Sequence, residues 1–192
     1  MGMINAMRVC SNLWLVFFTL WMLAALRTKR TLERVSWRRG LYYGIPVVLG
    51  YYLMFSRNIG IPWLQHRFVP RTPAVVIAAI VITLAGLLFA VWARVYLGRN
   101  WSSAPMIREN HQLIRGGPYR FVRHPIYTGI LLAMVGTFLA NGKVRGALAV
   151  LLVWFAWTIK SRMEEEFMLR TFGVEYEDYR RTTGALFPRL HG

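Results

Sequence analysis

The chain holds 192 residues, 56% of them hydrophobic and 17% charged, with a formal net charge of +16 at pH 7. Soluble domains carry roughly 25% charged and about 45–50% apolar residues, and here the apolar residues form long runs flanked by arginine and lysine. That placement ties the basic excess to membrane topology and anionic headgroups rather than to nucleic acid. The lone Cys10 excludes an internal disulfide and a cysteine-based metal cluster.

Residues 13 to 26 carry no charge, with Ser11 and Asn12 as cap candidates. Arg27, Lys29 and Arg30 follow directly, where a cleavable leader would place small neutral residues, so the run is read as a first membrane helix. Residues 41 to 55 form a second apolar run, with Pro46 and Gly50 that a bundle interior tolerates. A loop with Gly60, Pro62, Pro70 and Pro73 precedes the longest uncharged run, 74 to 92, which is long enough to cross a bilayer and extends through Arg94 to Leu97. Residues 98 to 124 are polar and aperiodic, yet Trp101, Ile114, Tyr119 and Phe121 favour an ordered loop. Pro125 opens a fourth apolar helix to Ala140, as proline suits the first helical position. Asn141-Gly142 marks a turn, and a fifth helix runs from Val144 until Gly173 can cap it. At 1.5 Å per residue it is about 43 Å long against a hydrocarbon core of about 30 Å, so its last turns project and carry Glu164, Glu165 and Glu166. Residues 175 to 181 read as a short surface helix.

The pattern predicts an all-α integral membrane protein with five transmembrane helices, three of them within residues 1–97 and a helical hairpin within residues 98–192. With five crossings, seventeen Lys and Arg residues fall on one side and six on the other, with Arg94 inside a helix. The basic side is cytoplasmic, which puts the amino terminus outside and the carboxyl terminus inside. The membrane would be the plasma membrane in a prokaryote and the endoplasmic reticulum in a eukaryote.

Two polar clusters border the hairpin: Arg120 to Tyr127 at the mouth of helix four, and Arg162 to Glu166 on helix five. A short connection makes the helices antiparallel neighbours, so His124, Tyr127, Arg162 and the three glutamates gather at one depth, under the 98–124 loop. Arg162 and Glu166, four apart, share a helical face. Each element alone reads more blandly, as an interfacial histidine cap or a solvated acidic face. Acidic residues are scarce, only Glu33 and Glu109 preceding residue 164, and the juxtaposition favours a site. Gly116-Gly117 reads as a turn.

The pattern His111-x-Leu113-Ile114, Gly117-x-Tyr119, Arg123-His124-Pro125-x-Tyr127, Arg162-x-x-Glu165-Glu166 and Phe172-Gly173-x-x-Tyr176-x-x-Tyr179 resembles the isoprenylcysteine carboxyl methyltransferase family. A looser superfamily includes phospholipid N-methyltransferases. The resemblance covers roughly residues 98–190 and implies an integral membrane enzyme using S-adenosylmethionine. It implies that the hairpin, the cytoplasmic loop and the carboxyl-terminal helix form the cofactor pocket. His111, Gln112, Leu113, Ile114, Tyr119, His124, Pro125, Ile126, Tyr127 and Glu166 would surround the cofactor, with Arg162 on the lipid-substrate side.

For a carboxylate acceptor no general base is needed, since it is ionised at neutral pH, and Arg162 would orient it. An amine-lipid acceptor would need a base such as Glu165. The expected partners are a lipophilic or prenylated acceptor and membrane lipids, without nucleic acid or a metal. A nicotinamide-dependent membrane reductase of the sterol type and a non-catalytic lipid-binding scaffold are the competing readings. Binding of S-adenosylhomocysteine, of NADPH or of neither separates them.

Overall fold

A computed structural model describes residues 5–25, 37–57, 59–98 and 113–189. Six helices follow one another: α1 (Ala6–Ala25), α2 (Trp37–Phe55), α3 (Pro73–Leu97), α4 (Pro125–Asn141), α5 (Val144–Phe172) and α6 (Val174–Thr182). Among the described residues the only β pairings are isolated bridges, Arg67 with Lys143 and Val122 with Gly184. By length and composition α1, α3 and α5 can each cross a membrane; α4 is apolar but has 17 residues, and α2 opens on Arg38 and Arg39 and contains Pro46.

Local chemistry sets the helix ends. α1 begins seven residues before the expected start, because the Asn5 side chain accepts from the Arg8 N–H at 3.2 Å and so caps the helix. Ser11, expected to cap, instead lies inside α1 with its hydroxyl donating to the Met7 carbonyl at 2.8 Å. The Thr72 hydroxyl caps α3 by accepting from Val75 N–H at 3.3 Å, and Pro73 takes the first helical position. α4 stops at Gly142, whose φ of 65° is the left-handed conformation that glycine adopts without penalty. α5 spans the 29 residues expected of it and ends at Gly173.

α4 packs chiefly on α3, and α5 chiefly on α2, so each arm of the hairpin has a stronger partner than the other arm. Glycines cause the first pairing. A Cβ on Gly86 would lie 2.4 Å from the Ala133 nitrogen, one on Gly129 2.6 Å from the Gly86 oxygen, and one on Gly136 2.4 Å from the Thr83 nitrogen. Small residues at these crossings let the two backbones touch. A polar seam runs beside them: the Trp14 indole N–H donates to Thr137 Oγ1 at 2.8 Å, and Thr83 Oγ1 lies 3.4 Å from both Thr137 Oγ1 and Cys10 Sγ. Outward, residues such as Val48, Ile77, Val81, Val95 and Phe155 stay exposed, as lipid-facing positions do.

Candidate active site

The fold carries the Arg123-His124-Pro125 motif to the head of α4, where a strap of backbone from residues 184–186 holds it. Arg123 N–H donates to the Gly184 carbonyl at 2.9 Å and His124 N–H to Ala185 at 3.0 Å. The Thr128 hydroxyl donates to the Leu186 carbonyl at 2.7 Å. Arg123 also reaches the carbonyls of Arg180 and Thr183 with its guanidinium.

Two carboxylates on α5 meet this head. Both Nε and Nη2 of Arg123 approach Glu165 Oε1 at 2.8 Å, and Arg180 Nε lies 3.5 Å from Oε2 of the same group. His124 bridges the two acids, with Nε2 3.3 Å from Glu165 and Nδ1 3.3 Å from Glu164. Tyr127 donates its hydroxyl to Glu164 at 2.6 Å. Burial works against the His124 imidazolium, but hydrogen bonds and charge from Glu164 and Glu165 outweigh it and raise its pKa above the usual 6.5. The cluster is thus an interlocked set of contacts in which the two acids favour the protonated form of His124.

Aromatic rings extend it along α5. His124, Tyr127 and Trp157 stack nearly parallel, with centroids 5.6 Å and then 4.7 Å apart. The Lys160 ammonium sits 5.4–5.5 Å from the ring centres of Tyr43, Tyr127 and Trp157, within cation–π range. The Trp157 Nε1 is buried without an acceptor among the described residues.

The residues singled out from the sequence separate into groups. Glu165, His124 and Tyr127 come together as described. Arg162 and Glu166 share the exposed face of α5 beside the cluster, and neither side chain forms an ion pair or hydrogen bond among the described residues. Tyr119, Pro125 and Ile126 are buried; the Tyr119 hydroxyl reaches the Ala93 carbonyl at 3.4 Å, and its own carbonyl accepts from Tyr179 at 2.5 Å. Leu113 and Ile114 are half-buried, with Ile114 against the core. His111 and Gln112 lie outside the described residues.

Sequence reasoning placed Arg123 and Glu164 in the two polar clusters without giving either a role, and passed over Trp157, Lys160 and Arg180. Residues 175 to 181 do form a helix, but Tyr176 and Tyr179 turn inward and are buried. That helix lies at the surface as expected, anchored to the fold by those two rings.

A membrane-type helical bundle with a cation–carboxylate cluster at one end of a helix hairpin is the class defined so far. The chain matches the model of the family described as phospholipid methyltransferase over residues 74–175, and it belongs to that family. Protein-S-isoprenylcysteine O-methyltransferase A of Arabidopsis thaliana is 30% identical over 152 residues, covering 77% of this chain and 74% of that protein. A probable protein-S-isoprenylcysteine O-methyltransferase of Oryza sativa subsp. indica is 36% identical over 103 residues, 52% of this chain. A cobalt-zinc-cadmium resistance protein of Cupriavidus metallidurans is 36% identical over 97 residues, 49% of this chain. The matched stretches span about half the length of these last two relatives, 54% and 44%. No group of three His, Cys, Asp or Glu side chains suited to a metal ion occurs among the described residues.

Proposed function

We propose that this chain is an integral membrane methyltransferase that uses S-adenosylmethionine to esterify the carboxylate of a prenylcysteine-like or other lipophilic acceptor, at the cytoplasmic face of a five-span bundle. The observation that carries this reading is the division of labour along α5. Glu165 and Glu164 are tied up by Arg123, His124 and Tyr127, while Arg162 and Glu166 stand beside them without a protein partner among the described residues.

The donor set fits the cofactor. Its amino-acid end needs an acid for the ammonium and donors for the carboxylate, and its sulfonium favours aromatic faces; Glu166, the α4 head and the Tyr127–Trp157 stack supply these. When bound, S-adenosylmethionine brings an activated methyl group with a built-in leaving group. The protein then contributes alignment and a dry site. Glu166 would hold the ammonium, and Leu113, Ile114, Tyr119 and His124 to Tyr127 would surround the rest. Arg162 pairs with the acceptor carboxylate, which is already ionised and needs no base.

Glu165 decides between acceptors. An amine acceptor must lose a proton to a carboxylate, and an acid paired with Arg123, His124 and Arg180 is a weak proton acceptor. The description of the family nevertheless names phospholipids, so the test includes one. Purified protein in lipid nanodiscs receives methyl-labelled S-adenosylmethionine together with farnesylcysteine and phosphatidylethanolamine. Label is expected in a base-labile methyl ester on farnesylcysteine, and Arg162→Ala and Glu166→Ala should each lower the rate about tenfold or more without moving the thermal midpoint. Base-stable label on the phospholipid, or near-normal turnover in both variants, would replace this assignment.

A further inference from the structure

The opposite end of the bundle gathers positive charge that no acid among the described residues answers. All six described Asp and Glu residues lie between Glu164 and Asp178, about 30 Å along α5 from its first turn. At that first turn stand Lys143 and Arg145, with Arg57, Arg67 and Arg71 on the segments packed against it. Arg145 is 7% exposed and donates to the carbonyls of Leu53 and Ser56, its Nε remaining without a partner among the described residues. Arg67 donates to Asn141 O at 2.5 Å and Val69 O at 3.2 Å. Lys143 Nζ donates to the neutral amide of Gln65 at 2.7 Å. Arg71 and Arg57 are exposed and without partners among the described residues.

Helix dipoles do not neutralise the cluster. The α2 and α4 carboxyl ends are each served by one guanidinium, Arg145 and Arg67, while α1, α3 and α5 all present their positive amino ends here. The cations are also held in place. Phe68 and Val69 N–H groups both donate to the Gly142 carbonyl, at 3.0 and 3.2 Å, and Val144 N–H donates to His66, at 3.0 Å, so the 66–69 segment is zipped to the α4–α5 turn. Burial, with Arg145, Arg67 and Arg71 nearby, pushes the Lys143 ammonium below its usual pKa. Trp63 and Phe68, 59% and 54% exposed, flank the cations from the same loop, the aromatic-plus-basic pairing typical of a bilayer interface.

We propose that Lys143, Arg67 and Arg71 form a binding site for a phosphate oxyanion at the end of the bundle remote from His124. The exposed Trp63 and Phe68 favour a phosphate presented by an anionic lipid, whose acyl chains the rings would flank, and free phosphate offers the same chemistry. The site is independent of the methyl-transfer reading.

The test is thermal unfolding of the purified chain in neutral detergent, titrated with short-chain phosphatidylglycerol, short-chain phosphatidylcholine, or sodium phosphate against sodium chloride of equal ionic strength. Phosphatidylglycerol should raise the midpoint by about 3–6 °C at tenfold its dissociation constant, and phosphatidylcholine should not. Lys143→Gln and Arg71→Gln should each weaken the apparent affinity about fivefold, while Arg181→Gln at the other end leaves it unchanged. Arg71 has no partner among the described residues, so its variant keeps the fold and the test intact. An equal shift with sodium phosphate, lost in the same variants, assigns the site to free phosphate. Equal responses to the two lipids without a phosphate response, unchanged affinity in both site variants, or equal weakening by Arg181→Gln would overturn the proposal.

Discussion

Arg123→Met isolates the ion pair that fastens the α4 head to α5 and to the chain beyond α6. The wild-type guanidinium makes two 2.8 Å contacts with Glu165 Oε1 and serves the carbonyls of Arg180 and Thr183, with side chains only 9% and 11% exposed at the pair. Removing one partner of a buried pair costs about 3–5 kcal/mol. His124 and Arg180 still face Glu165 in the variant, which holds the loss near the lower figure, about 3 kcal/mol. For a chain of this length each kcal/mol moves the midpoint by about 2–4 °C, so a fall of about 6–12 °C is expected. Intrinsic tryptophan fluorescence during heating in detergent measures it, and limited proteolysis should cut residues 174–189 sooner in the variant. A fall below about 2 °C with that segment equally protected would refute the reasoning, since the guanidinium would then be dispensable to both contacts.

The pH dependence follows from His124. Its folded pKa is raised, so its stabilisation is complete below the ordinary value of 6.5 and is lost as pH rises through the folded value. The thermal midpoint should therefore decline from pH 6 toward alkaline pH by an amount that His124→Gln removes; a wild-type midpoint that climbs over this interval would exclude an imidazolium at this position. Gly129→Val should cost about 1–3 kcal/mol or more through overpacking, because its Cβ would lie 2.6 Å from Gly86 O and 2.7 Å from Ala90 N. Unchanged urea midpoints for that variant would contradict the close approach of α3 and α4.

The helices were readable where composition changes sharply. Pro125, Gly142 and Gly173 punctuate α4 and α5 within a residue of the expected ends, because a proline, a left-handed glycine and a run without charge each act locally. The start of α1 was hidden because Asn5 caps through a single side-chain bond in a stretch without hydrophobic contrast. At the site, the meeting of His124 with the α5 acids was legible from hairpin length alone. Which acid it meets was not: one residue along a helix turns a side chain by about 100°, enough to send Glu165 inward and Glu166 outward. Gly116-Gly117 is the turn its sequence suggested, with Gly117 at a φ of 57° and Tyr119 N–H donating to the Gly116 carbonyl at 3.2 Å, but a Cβ on Gly117 would also strike the Tyr96 ring at 2.6 Å. Tertiary approach, unlike turn chemistry, leaves no local signature.

The strap at residues 184–186 has a consequence in time as well as in space. The α4 head leaves the ribosome some sixty residues before the backbone carbonyls of Gly184, Ala185 and Leu186 that accept its hydrogen bonds. During synthesis and insertion, His124 and Arg123 must wait in water or headgroups for partners not yet made. Assembly of the hairpin can precede competence, and the motif becomes fixed only when the downstream segment folds back over it.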